Sequence, residues 1–135
     1  MPIRKLQHIN IRCVDAEKSK QFYADLLGLA VGPRPPFASR GYWLYADDEP
    51  VVHLVEKRPG EKQLGPGTGD LDHVAFEGLD LAATREALWA GRYDFRETVV
   101  PRDNVTQLFV SDPDGIMLEL NFAPDATLTP APGGE

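Results

Sequence analysis

The chain has 135 residues and three histidines, His8, His53 and His73. His73 follows His8 by 65 residues in a matching context, Leu6-Gln7-His8 against Leu71-Asp72-His73. His53 is answered 66 residues later by Glu119, each between aliphatic neighbours, Val52-His53-Leu54 and Leu118-Glu119-Leu120. All three histidines and one glutamate therefore fall on two repeat-equivalent positions. A lone strand histidine is more often a surface or hydrogen-bonded residue than a ligand, and a glutamate between leucines could simply be the outward residue of an edge strand. Two observations weigh against those readings. No histidine is spent elsewhere, and a carboxylate replaces an imidazole at an equivalent position, which a ligand role tolerates and a packing role does not. Three imidazoles and one carboxylate suit one divalent metal per site (Zn, Ni, Fe(II), Co or Mn), with coordination positions left for water or substrate. If two modules pair about a pseudo-twofold axis, these four side chains converge on it.

The elements that must position them repeat in the same order. Residues 5–13 alternate, with Gln7, Ile9, Ile11 and Cys13 on one face and Leu6, His8, Asn10 and Arg12 on the other, as a half-buried strand does. Asp15 is placed to cap a helix whose Phe22, Tyr23, Leu26 and Leu27 recur at helical spacing and which Gly28 would stop. The stretch 32–41 reads as a loop, and GYWLYA and PVVHLVEK as two strands separated by the turn signal DDEP. In the second copy LDHVAFE is a strand and Asp80 caps a helix ending near Gly91. A strand over Phe95–Val100 follows, and TQLFVS and IMLELNF flank the turn Asp112-Pro113-Asp114-Gly115. Two copies of about 65 residues are too few for a solenoid, so a closed pair of modules is expected. The expected architecture is α+β: two βαβββ modules, 4–56 and 71–122, with curved sheets around a shared cleft. Residues 57–70 form the linker and 123–135 a mobile tail.

Composition narrows the functional classes. A hydrophobic share of 42% and a charged share of 26% fit one globular domain over 1–135. The formal charge of −7, without a lysine or arginine run, speaks against a nucleic-acid partner. No apolar run approaches the roughly 20 residues that cross a bilayer, so no membrane partner is expected. A single cysteine and an opening MPIRKLQHIN without an apolar signal stretch point to a reducing, cytoplasmic setting. Cys13 is read as a small buried hydrophobe. On the face of His8, Arg12 could hold an anionic substrate end or be an ordinary exposed strand arginine. Asn10 could orient a water or fill polar space. Trp43, with Tyr42 and Tyr45, could wall a pocket or belong to the core. Asn121 could support Glu119 from the same face. Trp89 is a dimer contact or a plain helix-face residue.

The segments LQHINIRCVDAEKSKQFYADLLGL, LDHVAFEGLDLAATREALWAG and FVSDPDGIMLELNF together resemble the vicinal oxygen chelate superfamily over residues 4–122. That superfamily includes glyoxalase I, extradiol ring-cleaving dioxygenases, fosfomycin-modifying transferases and bleomycin-resistance proteins. The resemblance implies a glyoxalase-like fold and, from glyoxalase I, metal ligation by His8, His53, His73 and Glu119, with His53 where glyoxalase I has its first glutamate. It implies a lyase or isomerase reaction on a small-molecule substrate through a metal-stabilised enediolate. Glu119 would be catalytic base as well as ligand, His53 a ligand or acid–base group, and Arg12, Asn10 and Trp43 substrate-binding. Lys57, Arg102 and Asp103 depart from the residues expected around glutathione. The alternative implied chemistry is an Fe(II) dioxygenase using His8, His73 and Glu119, although Phe109 stands roughly where such enzymes carry a tyrosine. A metal-free binder of the bleomycin-resistance kind typically loses the ligands that this chain keeps. A homodimer is expected, since family members usually build each site from modules of two chains.

Overall fold

The computed structural model describes residues 2–62 and 67–124. The chain divides into two compact units, Met1–Leu64 and Gly65–Glu135. Each is a four-stranded sheet with one helix, and the two repeat the same topology.

In the first unit β1 (Ile9–Cys13) leads to α1 (Ala16–Leu27), β2 (Ala30–Gly32), β3 (Gly41–Ala46) and β4 (Glu49–Glu56). The sheet order is β1-β4-β3-β2, with β1 parallel to β4 and the other neighbours antiparallel. The Asp15 carboxylate accepts from the Lys18 N–H and starts α1; Gly28, at φ 71, ends it in the left-handed conformation that glycine adopts without steric cost. Ile11, Cys13, Leu44, Val52 and Leu54 line one face of the sheet, and with Phe22, Tyr23 and Leu26 of α1 they form the buried core. Each large aliphatic side chain so buried contributes roughly 1.5–3 kcal/mol.

The second unit runs β5 (Val74–Glu77), α2 (Leu81–Ala90), β6 (Phe95–Val99), β7 (Thr106–Ser111) and β8 (Met117–Phe122), in sheet order β5-β8-β7-β6. Asp80 caps α2 by accepting from the Ala83 N–H. Gly91 does not take a left-handed conformation; the Tyr93 ring lies where its side chain would start, and the left-handed residue is Arg92. Leu81, Leu88, Leu108, Val110, Leu118, Leu120 and Phe122 make the core. Strand β8 alternates strictly, burying Leu118, Leu120 and Phe122 and turning Glu119 and Asn121 to the opposite face.

The first strand of each unit is shorter than its alternation suggests. β1 begins at Ile9, opposite Val52. The same parallel register would bring Gln7 against Pro50, which has no N–H to give. β5 begins at Val74, because the N–H and C=O of Ile116 are both taken by Asp112 in the turn before β8. His8 and His73 therefore each stand one residue ahead of their strand. The loop over 32–41 shrinks to 33–40: Gly32 closes the short β2, where the Tyr45 ring leaves no room for a side chain. The Asp112-Pro113-Asp114-Gly115 turn forms as expected, closed by the Gly115 N–H on the Asp112 carbonyl. The tail expected over 123–135 lies outside the described residues from 125 onward.

Candidate metal and substrate site

The register shows how the first unit sets its donors. Asn10, His53 and Trp43 are direct partners across β1, β4 and β3, so their side chains share one face, opposite the core. The His53 ring stacks on Trp43 at 4.0 Å between centroids and on His8 at 3.8 Å. Only 7% of His53 remains exposed, and burial, then the neighbouring His8 and Arg34, pushes its pKa below the ordinary imidazole value. The His53 Nε2–H faces the Pro50 carbonyl at 3.1 Å, and His8 Nδ1 lies 3.0 Å from the Gln7 amide oxygen.

The second unit pairs an imidazole with a carboxylate. His73 Nε2 lies 3.2 Å from Glu119 Oε1, while His73 Nδ1 bonds Asp72 at 2.8 Å. That Asp72 bond, followed by the charge of Glu119, raises the His73 pKa. Glu119 is supported from behind by a polar row: Thr98 to Gln107 at 3.2 Å, Gln107 to Asn121 at 3.2 Å, and the Asn121 amide to Glu119 Oε2 at 2.8 Å.

A common pattern links the three histidines. Each has one ring nitrogen against an oxygen that can only accept: the Gln7 amide oxygen, the Pro50 carbonyl or the Asp72 carboxylate. For His8 and His53 this places the N–H on that side and leaves the opposite nitrogen its lone pair; the other nitrogen of His73 faces the Glu119 carboxylate. Metal-binding histidines show this arrangement, the outer acceptor setting tautomer and ring orientation. His8 thus meets His53, and His73 meets Glu119; among the described residues no group of three or more His, Cys, Asp or Glu is gathered so as to hold a metal ion.

The other residues singled out separate into two places. Asn10, Trp43 and His53 line a hollow of about 280 Å³ together with Arg34, Phe37, Ser39 and Val55. Arg12 does not line it. Its guanidinium grips Glu61 through two contacts, at 2.6 and 2.7 Å, and it borders a different hollow with Arg58, Pro59 and Gly60. The Arg58 N–H, and then Arg12, hold the Glu61 carboxyl below its usual pKa. Tyr42 is directed to the helix side, where its hydroxyl bonds Glu17, and the Tyr45 hydroxyl bonds the Pro33 carbonyl. Cys13 is fully buried. Arg34 is the charged residue among the four lining residues that sequence reasoning missed, since a cation in a proline-rich loop belongs to no periodic pattern.

Residues 5–120 match the profile of the Glyoxalase/Bleomycin resistance protein/Dioxygenase superfamily. The chain belongs to this superfamily. Within the superfamily, the chain is similar to Glyoxylase I 4 of Arabidopsis thaliana, at 27% identity over 87% of the chain and 70% of that protein. It is also similar to a protein of Synechocystis sp. named Probable lactoylglutathione lyase, at 31% identity over 85% of the chain and 92% of that protein. Among solved structures, the fosfomycin resistance protein FosX of Listeria monocytogenes has the same fold. Its TM-score is 0.70 at 17% identity, covering 93% of this chain and 99% of that one. A FosX variant with a TM-score of 0.71 at 16% identity, over 90% of this chain and 93% of that one, was solved with Mn(II) and a dihydroxypropylphosphonic acid. Among the described residues no helix is long and apolar enough to cross a membrane.

Proposed function

We propose that this superfamily member is a metal-dependent enzyme of the glyoxalase I kind, a lyase or isomerase acting on a small substrate with two adjacent oxygens. His8 and His53 of one unit, with His73 and Glu119 of the other, would hold one divalent ion, the two units coming from one chain or from two copies in a homodimer. The observation that supports this most is a shared outer contact: each of the three histidines sets one ring nitrogen against an oxygen acceptor, as metal-binding histidines do, and turns the other toward a neighbouring proposed ligand or the open face. A donor set of three imidazoles and one carboxylate fits a borderline divalent cation better than Mg or Ca, which prefer oxygen.

The metal, when bound, would polarise the substrate oxygens and offset negative charge developing on them. The proton work falls to the chain. Glu119 accepts a hydrogen bond from Asn121 on one oxygen and faces His73 with the other, so it is fixed in direction. It is the only carboxylate in the proposed set and serves as the base that removes a proton next to the substrate carbonyl. His53, neutral and pinned between two rings, keeps its orientation and serves as ligand. Trp43 and Asn10 bind the substrate beside it, whereas the Arg12 charge is taken up by Glu61.

Elemental analysis of untagged protein, beside His8→Ala and Glu119→Ala, tests the reading. About one Zn, Ni, Co or Mn ion per chain, lost in both variants, is expected for a four-donor site. Iron with oxygen-dependent turnover would move the assignment to a ring-cleaving dioxygenase on His8, His73 and Glu119. Protein that takes up no metal when offered it would refute the metal reading and leave a ligand-sequestering protein.

A further inference from the structure

Three of the nine arginines in this acidic chain pair with a glutamate, and Arg34 does not. Arg12 pairs with Glu61, Arg40 with Glu56 and Arg85 with Glu97. Arg34 is held only by neutral groups. Its Nη1 donates to the Ser39 carbonyl at 3.0 Å and its Nη2 to the Ser39 hydroxyl at 3.1 Å, while its guanidinium lies 5.1 Å from the centre of the Phe37 ring. The Nε–H is buried and has no hydrogen-bond partner; among the described residues it shares that state only with the Thr68 hydroxyl. A buried donor left without an acceptor costs stability, and a folded protein retains one where something else supplies the acceptor.

The surroundings say what that acceptor would be. Ser39 occupies the end of the guanidinium fork. The side edge, Nε–H with an outer N–H of Nη2, is the parallel pair that matches a carboxylate, and because Nε is buried a covering side chain must move to admit one. Phe37, Trp43 and Val55 make the rest of the hollow apolar, and Asn10 and His53 stand on the sheet beneath. Phe37 is 55% exposed on the loop and packs obliquely near Trp43 at 6.5 Å, so it is the wall that can yield to a ligand. Gly41 belongs to the same arrangement: a side chain there would start 3.0 Å from Arg34 Nη2 and collide with the Leu54 carbonyl. At about 280 Å³ the hollow lies just below the roughly 300–1,000 Å³ of ligand sites, which suits a small molecule. Arg34 is the one cationic residue in its lining, which suits a monoanion better than a phosphate-type dianion.

We propose that this hollow is a subsite for a small apolar carboxylate, with the carboxylate on the side edge of Arg34 and the apolar body against Phe37 and Trp43. It names the substrate class for the proposed reaction and rests on that reading for its role in turnover, though its binding does not depend on metal. Arg34 is thus a specificity residue on an acid end of the substrate, a role that Arg12 does not fill.

The test uses Trp89→Phe protein, in which Trp43 is the sole tryptophan. Its fluorescence is titrated with 3-phenylpropanoate, 3-phenylpropanamide, propanoate and 3-phenylpropylphosphonate, in chelator-treated protein and again with Zn(II). The acid is expected to change Trp43 emission and to bind at least about tenfold more tightly than the amide, a difference of about 1.4 kcal/mol. Propanoate should bind more weakly still, and Arg34→Gln should bring acid and amide together. Equal binding of acid and amide to protein with Arg34 intact overturns the proposal without reference to any variant's folding. So does an acid that fails to bind, or a phosphonate that binds more tightly than the acid. Because the chelated arm stands alone, a protein that binds the acid but no metal would refute the metal reading and spare the subsite; the converse result would do the opposite.

Discussion

Asn121 holds the Oε2 oxygen of the proposed ligand Glu119. Its amide donates to Glu119 Oε2 at 2.8 Å and its oxygen accepts from Gln107 at 3.2 Å. Asn121→Ala removes both contacts and leaves Glu119, whose side chain is only 13% exposed, with little water to replace the lost donor. A hydrogen bond to a charged group contributes about 1.5–3 kcal/mol. Loss of an outer support of a metal ligand costs roughly 10–100-fold in metal affinity, or about 1.4–2.7 kcal/mol. The two scales agree, so Zn(II) affinity in Asn121→Ala should fall by roughly 10–100-fold. The assay is competition with a fluorescent chelator at fixed pH, with thermal unfolding recorded in parallel. Gln107→Ala is the graded comparison: it keeps the Asn121–Glu119 bond and loosens only the residue behind it, so its loss should be smaller. If Asn121→Ala holds metal within about threefold of the unsubstituted protein, well short of a typical outer-support loss, while Glu119→Ala abolishes binding, the polar row does not shape the ligand. The Glu119 carboxylate would then take its direction from elsewhere.

Two further outcomes follow from local structure. The carboxylates of Asp15 and Asp80 each satisfy one orphan N–H at a helix start, Lys18 and Ala83, so Asp15→Ala and Asp80→Ala should each cost about 1 kcal/mol in urea unfolding while the asparagine variants stay near the parent; asparagine behaving as badly as alanine would remove capping as the cause. In chelator-treated protein the two imidazoles should titrate on opposite sides of the unperturbed value near 6.5: His73 above it, held protonated by Asp72 and Glu119, and His53 below it, kept neutral by burial. The His73 contribution to stability is then full below the unfolded pKa and is lost as pH rises through its raised folded value, whereas that of His53 is present above the unfolded pKa and is lost as pH falls through its lowered one. Proton NMR of the ring resonances reads both midpoints, and the reverse order would contradict the environments described.

Much of this fold was legible because the chain says it twice. The offsets of 65 and 66 residues reappear as register: Ile9 opposes Val52 as Val74 opposes Leu118. Alternation set the faces of β8, and aspartate and glycine marked the ends of α1. What escaped depended on contacts distant in sequence. The late starts of β1 and β5 come from Pro50 and from the bonds of Ile116 to Asp112, neither of which perturbs the alternation of residues 5–13 or 71–77. Glu61 neutralises Arg12 from 49 residues away, in a stretch whose composition marks it only as a linker. Arg34 was invisible for a related reason: its significance lies in an N–H without a partner, and a sequence records residues, not unmet bonds.

The exchange of histidine for glutamate between equivalent positions has a physical basis in the two units. His53 has Trp43 beside it in register and Val55 two residues on; Glu119 has Phe109 and Asn121 in those places. A carboxylate at 53 would find no donor at Val55 and would lie against the negative face of the Trp43 ring, which a flat, neutral imidazole stacks on favourably. An imidazole at 119 would deprive the Asn121 amide of its charged acceptor and end the row from Thr98. The units are thus alike in backbone and unlike in electrostatics. The first offers neutral rings beside an apolar hollow with one uncompensated cation; the second offers a charged oxygen held in place by a chain of amides. Under the proposed function this divides the labour, with substrate recognition on the first unit and proton transfer on the second. An enzyme with such a division can alter its substrate by changing 33–43 while leaving the carboxylate and its supports untouched.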